Sequence, residues 1–174
     1  TRPGREVLIQ AITGMEMRYG GDVPAQNPFN SNDYATGLAS VYGIALAMLH
    51  RRRTGQGQWI QSALIYSATM LQSGMMQLYP GRQANEPGGL DCLGAGPLYR
   101  AYQASDGWLF MVAREGDLAQ CPALADLASL SGRDLEKALE ARFIKRAVAD
   151  WERDLRDADI SVTRVARNLH DLME

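Results

Sequence analysis

Residues 32–66 read NDYATGLASVYGIALAMLHRRRTGQGQWIQSALIY, and the rest of the fold is read outward from them. Beyond Asp33, the residues Leu38, Val41, Tyr42, Ala45, Met48 and Leu49 recur at three- and four-residue spacing, forming one broad apolar helical face. His50 and Arg51–Arg53 follow where the helix dipole favours cations, and Gly55 supplies a stop. A helix is therefore predicted from Asp33 to the arginines, with a carboxylate at its mouth. That carboxylate has two readings: a first-turn acid that complements the dipole, or a group held ready for chemistry. After the helix, TGQGQ (54–58) reads as a turn, QWIQSAL (58–64) as a short strand, and ATMLQSGMMQLY (68–79) as a Met-rich helix.

Upstream, Val7, Leu8, Ala11, Ile12 and Met15 predict a helix that ends near Gly20 and Gly21, and GGDVPAQNPFN (20–30) predicts a loop. Downstream the composition changes at Pro80. PGRQANEPGG (80–89) is turn-forming and poor in large apolar residues, which marks a linker. PLYRAY and WLFMVA then flank QASDG, the pattern of a β-hairpin. Ser131 and Asp134 are spaced as a capping box before a helix carrying Leu135, Ala138, Leu139 and Phe143. A second helix is predicted around Val148, Trp151 and Leu155, and ISVTRV (160–165) predicts a strand. The order of elements is that of an α/β first part and an α+β second part.

Length, charge and cysteine content narrow the function classes. The 174 residues suffice for a sizeable core, with 46% apolar and 22% charged residues. A formal charge of -2 argues against nucleic acid as a partner and against an anionic membrane surface. No apolar stretch approaches bilayer length. Two cysteines, Cys92 and Cys121, form no disulfide framework, and a cytoplasmic location is expected. The chain opens on Thr1 without a methionine and closes on NLHDLME, where Leu169 and Leu172 have begun a helical spacing; material missing on both sides is the expectation.

Most chemical motifs are excluded by spacing. His50, His170, Cys92 and Cys121 are scattered, so no metal site is predicted. There is no G-x-S-x-G for a serine nucleophile, and neither TGQGQ nor GGLDCLGAG (88–96) fits a phosphate loop. The three arginines next to Trp59 read as a solvated helix end. Met70, Met75 and Met76 read as core or interface filling, with a flexible acyl pocket as the alternative.

Taken whole, residues 32–66 resemble the signature segment of the family III CoA-transferases (CaiB/BaiF), which include formyl-CoA transferase, the carnitine-CoA transferases and α-methylacyl-CoA racemase. Asp33, Gly37, Arg51, Arg53, Thr54, Gly55, Gly57, Gln58 and Leu64 fall on its pattern. GPLYRAYQASDGWLFMVA (96–113) resembles the family's hairpin in the smaller domain. TRPGREVLIQAITGM (1–15) and ISVTRVARNLHDLME (160–174) resemble flanking segments, in the expected order.

The resemblance implies that residues 1–79 are helices of a large α/β domain, 80–97 a linker with a Gly-rich loop, and 98–174 a small α+β domain. It also implies that Asp33 is the nucleophile of a CoA transfer between an acyl-CoA and a carboxylic acid. The carboxylate attacks the thioester to form a mixed anhydride, and returning CoA thiolate converts that into an aspartyl-CoA thioester, which the acceptor carboxylate resolves. An alternative on the same scaffold is an acyl-CoA racemase or epimerase using Asp33 as acid/base. A non-catalytic interaction module, with Asp33 only a cap, is a third reading. Gly88, Gly89, Gly94 and Gly96 are candidates for the family's glycine loop, although the four-glycine form is not matched. Glu115 lies close to the racemases' companion glutamate. The resemblance further implies CoA thioester as substrate with no bound cofactor, an interlocked homodimer, and an isolated fragment that is inactive because most CoA contacts lie in the family's N-terminal half.

Overall fold

The structure, a computed structural model, describes residues 4–82 and 88–168, and the chain divides into two compact units, residues 1–91 and 92–174. The expectations placed on the first three residues, on residues 83–87 of the linker, and on Leu169, His170 and Leu172 lie outside the described residues.

The first unit is helical: α1 (Glu6–Ile12), α2 (Met15–Gly20), α3 (Ser31–Thr54) and α4 (Leu64–Leu71). The single helix predicted before Gly20 is two. Gly14 adopts a left-handed φ of 75°, which breaks the ladder, and the Thr13 hydroxyl bonds back to the Ile9 carbonyl at 2.7 Å. The α3 helix runs 24 residues and closes on Gly55, also left-handed at φ 76°. The strand predicted over QWIQSAL is absent. Residues 58–63 form no ladder, because a strand needs a partner and none lies beside them among the described residues of this unit. The helix expected over 68–79 instead starts at Leu64 and ends at Leu71, before Gly74.

The interior of this unit is unusually polar. Gln10, Asn32, Ser67 and Gln72 are buried beside Ile9 and Ala68, while the apolar stripe of α3 faces outward, with Leu38 73%, Tyr42 67% and Met48 62% exposed. The predicted apolar face of α3 exists, but among the described residues nothing packs on most of it. Helices α3 and α4 are joined by the Thr36 hydroxyl, bonded to Ser67 Oγ at 2.8 Å. Arg18 links α2 to the end of α4 through Gln72 Oε1 at 2.8 Å.

The second unit is an antiparallel sheet, β1 (Gly94–Gly96), β2 (Tyr99–Ala104), β3 (Gly107–Val112) and β4 (Ser161–Arg164) in that spatial order, with α5 (Gly132–Phe143) and α6 (Val148–Asp157). The predicted hairpin is β2–β3, with register from Tyr99↔Val112 to Ala104↔Gly107. Tyr102, Leu109 and Met111 alternate to one face and are buried against Leu135, Leu139 and Phe143 of α5 and Val148, Trp151 and Leu155 of α6. Trp151 donates its indole N–H to the Phe143 carbonyl at 2.9 Å and meets the Phe143 ring edge-on at 4.8 Å.

Asp106 explains why the hairpin tip is Asp-Gly. One carboxylate oxygen accepts the Val148 N–H at the start of α6 and the other pairs with Arg164 on β4, both at 2.8 Å. The Arg164 guanidinium first, and the Val148 amide second, hold the Asp106 carboxyl below its usual range. The turn residue therefore ties three elements together. Arg100, also turned inward on β2, is buried and ion-paired with Glu136 and Glu140 of α5. The capping box expected at Ser131 is not made, since Ser131 occupies the cap position without a side-chain bond. Strand β1 arises inside the segment predicted as a glycine loop; it pairs with β2 irregularly, Gly94↔Arg100 and Gly96↔Tyr99. The sheet-and-helix architecture as a whole is α+β.

Candidate active site in the helical unit

Asp33 sits in the first turn of α3, exposed, and among the described residues no hydrogen bond or ion pair reaches its carboxylate. It does not cap the helix. The cap position is Asn30, which makes no side-chain cap bond, and the amides of the turn are held by a residue far away in sequence. Glu6, 7% exposed on α1, accepts the Asp33 N–H at 2.8 Å through one carboxylate oxygen. Its other oxygen accepts the Asn32 N–H at 3.4 Å, the Asn32 side-chain amide at 2.7 Å and the Gln10 amide at 2.9 Å. Gln10 in turn exchanges two bonds with the Asn27 backbone, at 3.0 and 3.1 Å, fixing the loop that enters α3.

This arrangement separates two jobs that the sequence pattern places on one side chain. The buried Glu6 carboxylate takes the positive end of α3, as anions do at helix N-termini. The Asp33 carboxylate, in the same turn, is left with its oxygens uncommitted. Sequence patterning does not single out Glu6, although a signal is present. Glu6 and Gln10 are one turn apart on a helix whose other facing residues are apolar, and a polar pair there needs a partner.

The candidate glycines divide between the two units. Gly88 and Gly89 belong to the first, where the Gly89 N–H donates to the Arg18 carbonyl at 2.9 Å and a Cβ on Gly88 would lie 2.9 Å from that same oxygen. They pack on α2 rather than trail off as a linker. Gly94 and Gly96 belong to the second. A Cβ on Gly94 would come within 2.2 Å of the Tyr99 carbonyl oxygen, so this glycine lets β1 approach β2. Nothing lies within 4 Å of a Cβ on Gly96. Glu115 follows β3, exposed, and lines the same cavity of the second unit as Gly96. Among the described residues no group of three or more His, Cys, Asp or Glu is placed to hold a metal ion, and no helix is long and apolar enough to cross a membrane.

The sequence profile of CoA-transferase family III matches residues 1–174. The chain is 26% identical over 162 residues to the CoA-transferase/lyase DddD of Marinomonas sp., covering 91% of this chain and 19% of that protein. It is 25% identical over 179 residues to the alpha-methylacyl-CoA racemase of Mus musculus, covering 93% of this chain and 46% of the racemase. A CAIB/BAIF family protein from Brucella suis has the same fold, with a TM-score of 0.76 at 23% identity over 99% of this chain and 50% of that one. The chain thus spans less than half the length of the curated relatives it matches here.

Proposed function

Since the chain belongs to CoA-transferase family III, we propose that Asp33 is the nucleophile of a CoA transfer between an acyl-CoA and a carboxylic acid. The observation that carries this reading is the uncommitted, exposed Asp33 carboxylate in a helix turn whose amides are already held by Glu6. A nucleophilic carboxylate needs free lone pairs and a fixed backbone, and the two residues divide those requirements.

In this reading an Asp33 oxygen attacks the thioester carbonyl, the C–S bond breaks, and CoA leaves as thiolate with the acyl group on aspartate as a mixed anhydride. Thiolate then attacks the aspartyl carbonyl, expelling the acyl group as a free carboxylate and leaving an aspartyl-CoA thioester. The acceptor carboxylate attacks that thioester to form a new anhydride, and thiolate takes the acceptor acyl group, restoring Asp33. CoA enters as substrate, and no cofactor is required. The interlocked homodimer belongs to the same reading and predicts twice the monomer mass in sedimentation.

A second reading, proton exchange α to the thioester with Asp33 as acid/base, draws support from the racemase relative. One experiment separates the two. The protein is incubated with an acyl-CoA in deuterated water and analysed by mass spectrometry. Transfer predicts an acyl or CoA adduct on Asp33 that Asp33→Asn abolishes; racemisation predicts α-deuteration without an adduct. Neither signal, with thioester bound, would sink both readings and leave a non-catalytic module.

A further inference from the structure

Strand β2 has an edge that β1 covers only in part. The β1–β2 register reaches Tyr99 and Arg100, and the Ala101 N–H bonds the Leu93 carbonyl at 2.8 Å. Backbone groups alternate in direction along a strand, so Gln103 turns its N–H and C=O to this same edge. Among the described residues no hydrogen bond reaches either group. The next outward amide, that of Ser105, is taken by the Arg146 carbonyl at 3.0 Å. One donor and one acceptor are therefore left side by side between two occupied positions. A cavity of about 280 Å³ opens here, just under the usual range of ligand cavities and suited to a single ring. Ala101, Gln103 and Trp108 line it from one face of the sheet, and Tyr102, Glu140 and Ile144 from the other. Side chains of both faces meet only at a strand edge, so the cavity lies against the unpaired groups of Gln103.

We infer that this cavity binds a small neutral flat ring carrying a hydrogen-bond donor and an acceptor side by side, as a lactam or an aminoheteroaromatic does. The ring's donor meets the Gln103 C=O while its acceptor takes the Gln103 N–H, which completes the one open rung. The other polar groups that line the cavity are already engaged. Tyr102 donates its hydroxyl to the Pro97 carbonyl at 2.6 Å, and Glu140 accepts from Arg100 at 3.1 Å. Recognition therefore falls to the strand edge, with no charge required of the ligand. Trp108, 38% exposed, offers an aromatic wall beside Gln103, its cross-strand partner, and a flat ring suits that wall. An extended peptide does not fit. Strand addition needs successive rungs, and those on either side, at Ala101 and Ser105, are held by Leu93 and Arg146. None of the residues lining this cavity is among the candidates for CoA transfer.

The test titrates three neutral probes into the full chain and follows backbone amide and indole NMR signals. The first, α-pyridone, carries donor and acceptor on one flat ring. Its N-methyl derivative lacks the donor, and a blocked tri-alanine peptide supplies an extended strand. α-Pyridone is expected to shift the Gln103 amide and the Trp108 indole saturably. The N-methyl derivative should bind roughly two- to tenfold more weakly, the share of one hydrogen bond. Gln103→Ala keeps the backbone groups and is expected to keep the affinity for α-pyridone. Gln103→Pro removes the outward N–H, which makes no bond to β3, and is expected to lower that affinity by a similar factor. Should that variant fail to fold, the N-methyl probe still reads the loss of one bond at the same rung. Four results would overturn the proposal: equal affinity for the two pyridones, lost binding in a folded Gln103→Ala variant, shifts that do not saturate, or the peptide moving these signals in place of α-pyridone.

Discussion

Replacing Glu6 by alanine removes the acceptor of four hydrogen bonds at the mouth of α3: the Asp33 and Asn32 backbone amides and the side-chain amides of Asn32 and Gln10. Gln10 keeps the Asn27 carbonyl as a partner, so its amide is not orphaned. The Asn32 side-chain amide keeps only a 3.9 Å contact to Met15 Sδ, and Asn32 is fully buried. Loss of an N-terminal cap costs about 1 kcal/mol. An unpaired buried amide adds roughly 1–3 kcal/mol. The first unit should therefore lose about 2–4 kcal/mol, concentrated in the first turn of α3. Amide hydrogen exchange read by mass spectrometry resolves this. Protection of residues 31–37 should fall by roughly 30- to 700-fold, at 1.4 kcal/mol per decade. Glu6→Gln keeps one acceptor oxygen and should show a smaller loss. Residues 132–143 of α5, which belong to the second unit, should be unchanged. Unaltered exchange in residues 31–37, or an equal loss in α5, would refute the assignment of Glu6 as the cap.

Other outcomes follow from particular residues. Asp33→Asn should shift the unfolding free energy by only about 0.5 kcal/mol or less, because the side chain is exposed and unpartnered among the described residues; a loss near 1 kcal/mol by denaturant titration would restore the capping role. In the second unit Asp106 is held below the usual carboxyl range by Arg164 and then Val148, Asp126 by Arg142, and Asp154 by Arg146. Carboxyls lowered on folding stabilise fully above their unfolded value of about 3.9 and lose that contribution as pH falls through the folded value. Thermal melts should therefore hold level down to about pH 5 and drop below about pH 4, with Asp106→Asn flattening the acid limb. Trp151→Ala, at a position 1% exposed that also anchors the Phe143 carbonyl, should cost about 3–5 kcal/mol by the same melts. Gly94→Ala should disrupt the β1–β2 pairing, visible as lost Ala101 amide protection, whereas Gly96→Ala should leave that amide unaffected.

Several elements are legible in the sequence because their signals are local. The spacing from Leu38 to Leu49 and the stop at Gly55 mark α3, and the apolar strands flanking Ser-Asp-Gly mark the hairpin. Leu135, Leu139 and Phe143 share one face because a helix period places them so, whatever lies opposite. Elements that depend on a partner are not legible in this way. QWIQSAL has strand-like residues but no strand beside it among the described residues, while Gly-Ala-Gly of β1 is not strand-like in composition and pairs with β2 because Gly94 permits the approach. The single helix predicted before Gly20 fails at Gly14, where a left-handed backbone outweighs an unbroken apolar spacing.

The candidate site divides along the same line. Its family pattern and the position of Asp33 in the first turn of a long helix are properties of contiguous residues, and the sequence by itself determined them. Which carboxylate holds the helix amides is not a local property. Glu6 reaches the Asp33 N–H across 27 residues, and that bond exists only because α1 packs against the start of α3. Hydrogen bonding is short-ranged and directional, so the division between a carboxylate that caps and one left uncommitted was decided by tertiary structure alone.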